Sequence, residues 1–155
     1  MHGVDNITVT EDVSLITFGK IPMDLSLISD IFLQFSEAQI NIDMISLAAP
    51  RGDTTSVSFS LPSDNLVRVL ELVNRYREAH PSLKPLIAGG NVKIQLFGSG
   101  MRDMWGVAAR AMAALARTGA ELMLITTSEV DISFLVTRAH YEEALAALQE
   151  EFELV

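Results

Sequence analysis

The apolar positions of this chain follow one pattern twice. Residues 13–19 and 92–98 alternate apolar and polar side chains or carry β-branched residues, which predicts a strand that ends at a glycine in each copy. A loop and an amphipathic helix follow each strand, and Gly119 predicts the end of the second of these helices. The apolar helical positions are Leu25, Ile28, Phe32 and Phe35 in the first copy and Val107, Ala111, Ala114 and Leu115 in the second.

Each copy continues with two more strands and another helix. The second strands are predicted at residues 42–46 and 122–126, and the third at residues 55–61 and 131–136, with the period of two of a sheet that has one covered face. Ser63 suits the N-cap of the next helix in the first copy. The apolar positions of the two last helices are Leu66, Leu70, Val73 and Tyr76, and Tyr141, Leu145, Leu148 and Phe152.

The order of these elements predicts an α+β fold made of two ferredoxin-like βαββαβ units. Each unit is a four-stranded antiparallel sheet with two helices on one face. Residues 84–88 supply a fourth strand to the first copy, whereas the second copy reaches residue 155 without one. Residues 4–10 form an unassigned strand that fills this gap, so the first unit (13–89) is inserted in the second (1–12 plus 90–155). The alternative is that residues 1–12 are a loose arm and the second sheet has three strands.

Composition and charge narrow the classes of partner. Hydrophobic residues make up 49% of the 155 positions, which is enough for a packed core. The formal net charge of -9 disfavours nucleic acid and anionic membrane surfaces as partners. No cysteine is present, so disulfides, thiolate metal sites and a cysteine nucleophile are excluded. With neither a signal-peptide pattern nor an apolar run of about 18 residues, we expect a cytoplasmic protein.

The sequence offers little for catalysis. His2, His80 and His140 are scattered, which disfavours a metal site and a histidine base. The glycine-containing segment 97–101 has neither the spacing of a phosphate-binding P-loop nor that of a dinucleotide-binding turn. We therefore expect a protein that is not an enzyme and has no cofactor and no bound metal.

Three separated segments, in the same order, resemble the regulatory C-terminal half of aspartokinase. They are residues 40–45, residues 100–109, and residues 125–129 together with Ile132 and Ser133. The resemblance implies two tandem ACT domains, the first inserted in the second, and no kinase domain in this sequence. It also implies a homodimer that binds an amino-acid effector of the lysine or threonine class at its interfaces, with a separate kinase or other catalytic subunit as a further possible partner.

The same resemblance implies which residues bind the effector. The family uses the loop after the first strand, the start of the first helix and the corner before the second strand, and it usually has Pro-Gly at the helix start. Here the pairs are Trp105-Gly106 and Leu25-Ser26, so the second copy keeps more of the pattern. The implied ligand-binding residues are Met101, Arg102, Asp103, Met104, Trp105, Gly106, Val107, Glu121, Thr127, Ser128 and Glu129 in the second copy, and Met23, Asp24, Leu25, Asn41 and Ile42 in the first.

Physical chemistry makes such a site reasonable. The amides at a helix N-terminus suit a carboxylate, and Gly106 leaves that end open. Asp103, Glu121 and Glu129 are candidates for the ligand ammonium. Plainer interpretations compete: Asp103 as an N-cap, and Trp105 as a core or interface aromatic.

Other implied residues have plainer interpretations too. Arg102 is then a solvated loop charge, and Asn41 caps a turn. Thr127 and Ser128 then belong to a bulge or an edge strand. Three functions follow for the whole chain: an allosteric amino-acid-binding module, a structural dimerisation protein with a degenerate effector site, and, least favoured, a small enzyme.

Overall fold

The computed structural model describes residues 2–154, and the chain forms two compact units. We call Asp12–Gly89 the inserted unit, and Met1–Glu11 with Gly90–Val155 the outer unit. The elements in chain order are β1 (Asn6–Pro22), α1 (Leu25–Glu37), β2 (Ile45–Leu47), β3 (Thr54–Pro62), α2 (Leu66–Ala79), β4 (Pro85–Phe97), α3 (Val107–Ala116), β5 (Leu122–Thr127), β6 (Asp131–Thr137) and α4 (Tyr141–Glu151).

The inserted unit is built around one aromatic cluster. Its strands lie in the order β2-β3-β1-β4, with β3 antiparallel to both β2 and β1. The ring of Phe59 on β3 is fully buried, with centroids 5.9, 5.3 and 5.5 Å from those of Phe18, Phe32 and Phe35. Helix α1 begins after Asp24, whose carboxylate accepts the amide of Ser26 at 2.9 Å. These contacts join α1 to the sheet.

The outer unit repeats the arrangement with strands in the order β1-β4-β6-β5. Strand β6 is antiparallel to β4 and to β5, and its inward side chains Phe134 and Val136 are fully buried. Helices α3 and α4 close the core, and Arg110 of α3 lies over the ring of Phe152 with its guanidinium carbon 5.1 Å from the centroid. The same guanidinium pairs with Glu151 at 3.3 Å.

The predicted fold class is confirmed: each unit is α+β, with antiparallel strands and two helices. Two pairs of predicted strands are joined into single strands. The expected strands at 4–10 and 13–19 are parts of the single strand β1, and those at 84–88 and 92–98 are parts of β4. Gly90 lies inside β4 and has a φ of +68°, a conformation that an L side chain resists.

Three local predictions are wrong. Strand β2 starts at Ile45 and not at residue 42: the amide of Met44 donates to the hydroxyl of Ser60, while the carbonyl of Met44 still accepts from the backbone amide of Ser60. Ser63 does not cap α2, since its hydroxyl lies 2.8 Å from that of Ser14 and a short 3-10 turn precedes the helix. Helix α3 ends at Ala116, before Gly119, and the amide and the hydroxyl of Thr118 both donate to the carbonyl of Leu115.

Candidate functional site

A cavity of about 330 Å³ opens beside the start of α3 in the outer unit. Three segments line it: the β4–α3 loop (Gly98–Gly106), the first turn of α3, and the corner between β5 and β6. Its lining residues are Met101, Arg102, Met104, Gly106, Val107, Ala108, Thr127, Ser128, Glu129 and Ile132. The volume lies at the small end of the range of about 300–1,000 Å³ for ligand pockets, which suits a small molecule.

The helix start beside this cavity lacks a side-chain cap. Gly106 is the N-cap residue of α3, with a left-handed φ of 81°, and it has no side chain that could take the first amides. Its carbonyl accepts from the amide of Arg110 at 2.9 Å, which is the first turn of the helix. The preceding amides at the helix start are therefore available to an anion, and the helix dipole favours one there.

The β5–β6 corner forms the opposite wall. Its shape depends on Ser128, whose hydroxyl accepts from the amides of Val130 and Asp131 at 3.2 Å and also donates to the carboxylate of Asp131. The second carboxylate oxygen of Asp131 accepts a hydrogen bond from the side-chain amide nitrogen Nε2 of Gln95 at 2.9 Å. Ser128 thus builds the corner, and the neighbouring Glu129 extends into solvent at the rim.

Opposite charges and apolar surface meet at this cavity. Arg102 and Glu129 are both exposed, one on the β4–α3 loop and one on the corner. The apolar side chains of the lining are buried or half-buried, and Ile132 and Val107 are the most covered of them. A zwitterion with a partly apolar side chain matches this distribution of charge.

Eight of the eleven residues expected to bind a ligand in the second copy line the cavity; Asp103, Trp105 and Glu121 do not. Asp103 lies in a 3-10 turn and does not cap α3, whose N-cap is Gly106. Glu121 immediately precedes β5, at the end of that strand away from Thr127. Trp105 lies between two lining residues, but its side chain is 99% exposed. The interpretation of Trp105 as a core aromatic is wrong.

The residues expected to bind a ligand in the inserted unit lie at the two ends of α1, with Met23, Asp24 and Leu25 at its start and Asn41 and Ile42 beyond its end. Asp24 caps α1, and Leu25 is exposed. Met23 and Asn41 are exposed as well, while Ile42 packs on the core of the unit.

A cavity of about 350 Å³ does occur in the inserted unit, formed by other residues. It lies where β1 bulges and where the chain turns from β2 into β3. The lining residues are Gly19, Lys20, Ala48, Ala49, Arg51, Thr54, Thr55 and Ser56, so this cavity has two cationic side chains and three hydroxyls.

Sequence reasoning missed two lining residues of the outer cavity. Ile132 sits on the helix-facing side of β6, and Ala108 follows the first residue of α3. Their positions, near the start of β6 and in the first turn of α3, are the sequence signals that could have identified them. Among residues 2–154, no cluster of histidine and acidic side chains could hold a metal ion. Over the same residues, no helix is long and apolar enough to span a membrane.

Comparison with known proteins gives consistent results. A family model described as an ACT domain matches residues 94–152. An aspartokinase of Bacillus sp. (strain MGA3) is 29% identical over 151 residues, which are 97% of this chain and 37% of that protein. The chain therefore spans little more than a third of the length of this curated relative.

Two solved structures match over nearly their whole length. The regulatory subunit of aspartate kinase from Thermus flavus superimposes with a TM-score of 0.86 and 26% identity, covering 97% of this chain and 99% of that one. A structure of aspartokinase alpha and beta subunits gives a TM-score of 0.86 and 27% identity, with the same coverage.

Proposed function

We propose that this chain, a tandem of ACT units that resembles the regulatory region of aspartokinases, is a regulatory module that binds a free amino acid. The observation that carries the proposal is the cavity at the uncapped start of α3, with Arg102 and Glu129 at its rim. Its near end-to-end match to a chain described as a regulatory subunit supports a role without catalysis.

The amino acid would bind with its carboxylate at the start of α3. The free amides there and the guanidinium of Arg102 both favour negative charge. Glu129 then faces the ammonium from the opposite corner, and the side chain lies along Met101 and Ile132. A side chain of the lysine or threonine class, part apolar and part polar, fits these surroundings.

Binding would be transmitted through a change of assembly. Trp105 lies directly beside the cavity and is 99% exposed, and exposed aromatic side chains are typical anchors of protein interfaces. A partner that covers Trp105, either a second copy of this chain or a separate catalytic subunit, would sense the neighbouring cavity. The amino acid would then shift the population between two arrangements of the assembly.

A thermal-unfolding screen with the twenty common amino acids tests the proposal. A ligand present at a hundred times its dissociation constant adds about 2.7 kcal/mol to the free energy of unfolding. We expect lysine or threonine to raise the melting temperature, and we expect Arg102→Ala to reduce this rise more than Arg51→Ala, a matched change in the other unit. No stabilisation by any amino acid would overturn the proposal.

A structural dimerisation protein with a degenerate effector site is the second candidate. It is favoured by the inserted unit, whose Met23, Leu25 and Asn41 are exposed and do not line the cavity beside the bulge of β1. A mass measurement across a range of protein concentrations, with and without lysine and threonine, separates the two. Self-association that no amino acid changes would favour the structural role.

A further inference from the structure

The N-terminal segment His2–Asp5 is packed closely against the β4–α3 loop. A Cβ built on Gly98 would lie 1.6 Å from the carbonyl oxygen of Gly3, so no other residue fits at Gly98 while the segment stays in place. One oxygen of Asp5 accepts from the amide of Ser99 at 3.0 Å and lies 3.3 Å from its hydroxyl. The loop is thus held by a carboxylate that is distant in sequence.

The same segment supports two residues of the cavity. A Cβ on Gly3 would lie 3.0 Å from the sulfur of Met104 and 3.2 Å from a methyl carbon of Val107. Both residues line the cavity, so the backbone of Gly3 lies behind its wall. The φ of Gly3 is +85°, which a side chain would resist in any case.

The segment has anchors of its own. Val4 is 1% exposed and belongs to the core of the outer unit. The amide of Asp5 donates to the carbonyl of Phe97 at 2.7 Å, and the ring of His2 meets that of Phe152 edge-on at 6.1 Å. A displacement of the loop must therefore strain the segment or release it.

We propose that Asp5 is a positioning residue for the amino-acid cavity, and that the segment His2–Asp5 responds to its occupancy. The inference rests on the proposed function, since it assigns an output to the same cavity. A ligand that fixes Met104 and Val107 stabilises the surface on which Gly3 lies, and by linkage a docked segment tightens the binding of the ligand by the same factor. The Asp5–Ser99 bond is exposed, so it can open without unfolding the core.

Amide hydrogen exchange without ligand tests the positioning role. In Asp5→Ala we expect exchange at residues 99–104 to be about tenfold faster than in the wild type, since a hydrogen bond to a charged group is lost. Asp5→Asn, which keeps an acceptor oxygen, should restore part of the protection, and Asp64→Ala, an exposed carboxylate of the inserted unit, should leave the loop unchanged. Exchange in β6 monitors global stability. Unchanged loop exchange in Asp5→Ala would overturn the inference.

Titration with L-lysine and with L-threonine tests the coupling, with the fluorescence of Trp105, the single tryptophan, as reporter. We expect Asp5→Ala to weaken binding at least about fivefold, the low end of allosteric couplings, and the bound amino acid to slow exchange at residues 3–6 of the wild type. Equal affinity in both proteins would overturn the coupling. If the wild type binds neither amino acid, the proposed function fails, and the exchange comparison still decides the positioning role.

Gly98→Ala is the second variant. Its added methyl group meets the carbonyl of Gly3 and should displace the segment even with Asp5 intact. We expect the faster loop exchange of Asp5→Ala to appear here as well. A folded Gly98→Ala protein with wild-type exchange at residues 3–6 would count against the packing on which the inference depends.

Discussion

The phenol of Tyr76 on α2 donates a 2.8 Å hydrogen bond to the carboxylate of Asp30 on α1. Burial, and then the bond to Asp30 and its charge, raises the pKa of Tyr76 to about 12 from its ordinary value of 10.0. The folded protein therefore keeps the phenol proton at a pH at which the unfolded chain releases it. This stabilisation is complete below pH 10 and is lost as the pH rises toward 12.

We accordingly expect the free energy of unfolding to fall between pH 10 and 12, and to fall less steeply in Tyr76→Phe. Denaturant titrations at a series of pH values measure this slope. Tyr141→Phe is the matched control: the charge of Glu11 raises the pKa of Tyr141 too, but this variant retains the contribution of Tyr76. Equal slopes for wild type and Tyr76→Phe would show that the pKa of Tyr76 is not raised in the folded protein.

Replacement of Gly106 should act on both stability and binding. A left-handed φ costs an L residue roughly 1–2 kcal/mol, so Gly106→Ala should lower the free energy of unfolding by about that amount. Gly52 has a similar φ of +64° in a turn of the inserted unit, and Gly52→Ala should cost about as much. Only Gly106→Ala should also weaken amino-acid binding, measured by calorimetry. An equal loss of affinity in both variants would point to a global effect.

Trp105→Ala should leave the isolated chain intact. Because the side chain is 99% exposed, we expect a change in stability within about 0.5 kcal/mol. If Trp105 anchors an interface, its loss should weaken self-association at least about tenfold in sedimentation experiments. Leu25→Ala removes a 69% exposed side chain of the inserted unit and serves as the comparison. Unchanged association in Trp105→Ala would exclude it as the anchor.

The aromatic cluster of the inserted unit should dominate its stability. Phe59 is fully buried among three other rings, and a buried Phe→Ala change costs about 3–5 kcal/mol. Phe59→Ala should therefore destabilise strongly, whereas Phe97→Ala, at a 40% exposed position, should cost far less. Thermal unfolding of the two variants checks the contrast, and similar losses would contradict the assigned core.

The periodicity of apolar residues predicted most of the strands and helices, because each of these elements buries one face of its side chains. Phe59 alternates with polar neighbours along β3, whereas Phe134 in the corresponding strand of the second copy lies between Ser133 and Leu135, inside a stretch that is buried throughout. The continuity of β4 was not predicted because a Gly-Gly pair is typical of a turn. In the structure, Gly90 has its positive φ inside the strand. Ser63 was likewise predicted as an N-cap from its sequence position alone, but in the folded unit its hydroxyl is hydrogen-bonded to that of Ser14.

The residues of the candidate site were predicted through the family resemblance, which covers both the β4–α3 loop and the β5–β6 corner. The exposure of Trp105 ran against the general tendency of aromatic side chains to be buried. The support of Met104 by Gly3 depends on residues about a hundred positions apart, which no local pattern reports.

The insertion also imposes an order on synthesis. Residues Asn6–Glu11 leave the ribosome early, yet the strand beside them in the outer unit, Gly90–Phe97, follows only after the whole of Asp12–Gly89. The nascent inserted unit can complete its sheet before residues 90–97, which pair with residues 6–11, have been synthesised. Ribosome-stalled chains in which residue 89 has left the exit tunnel, but residues 90–97 have not, should therefore protect the amides of β3 but not those of residues 6–11.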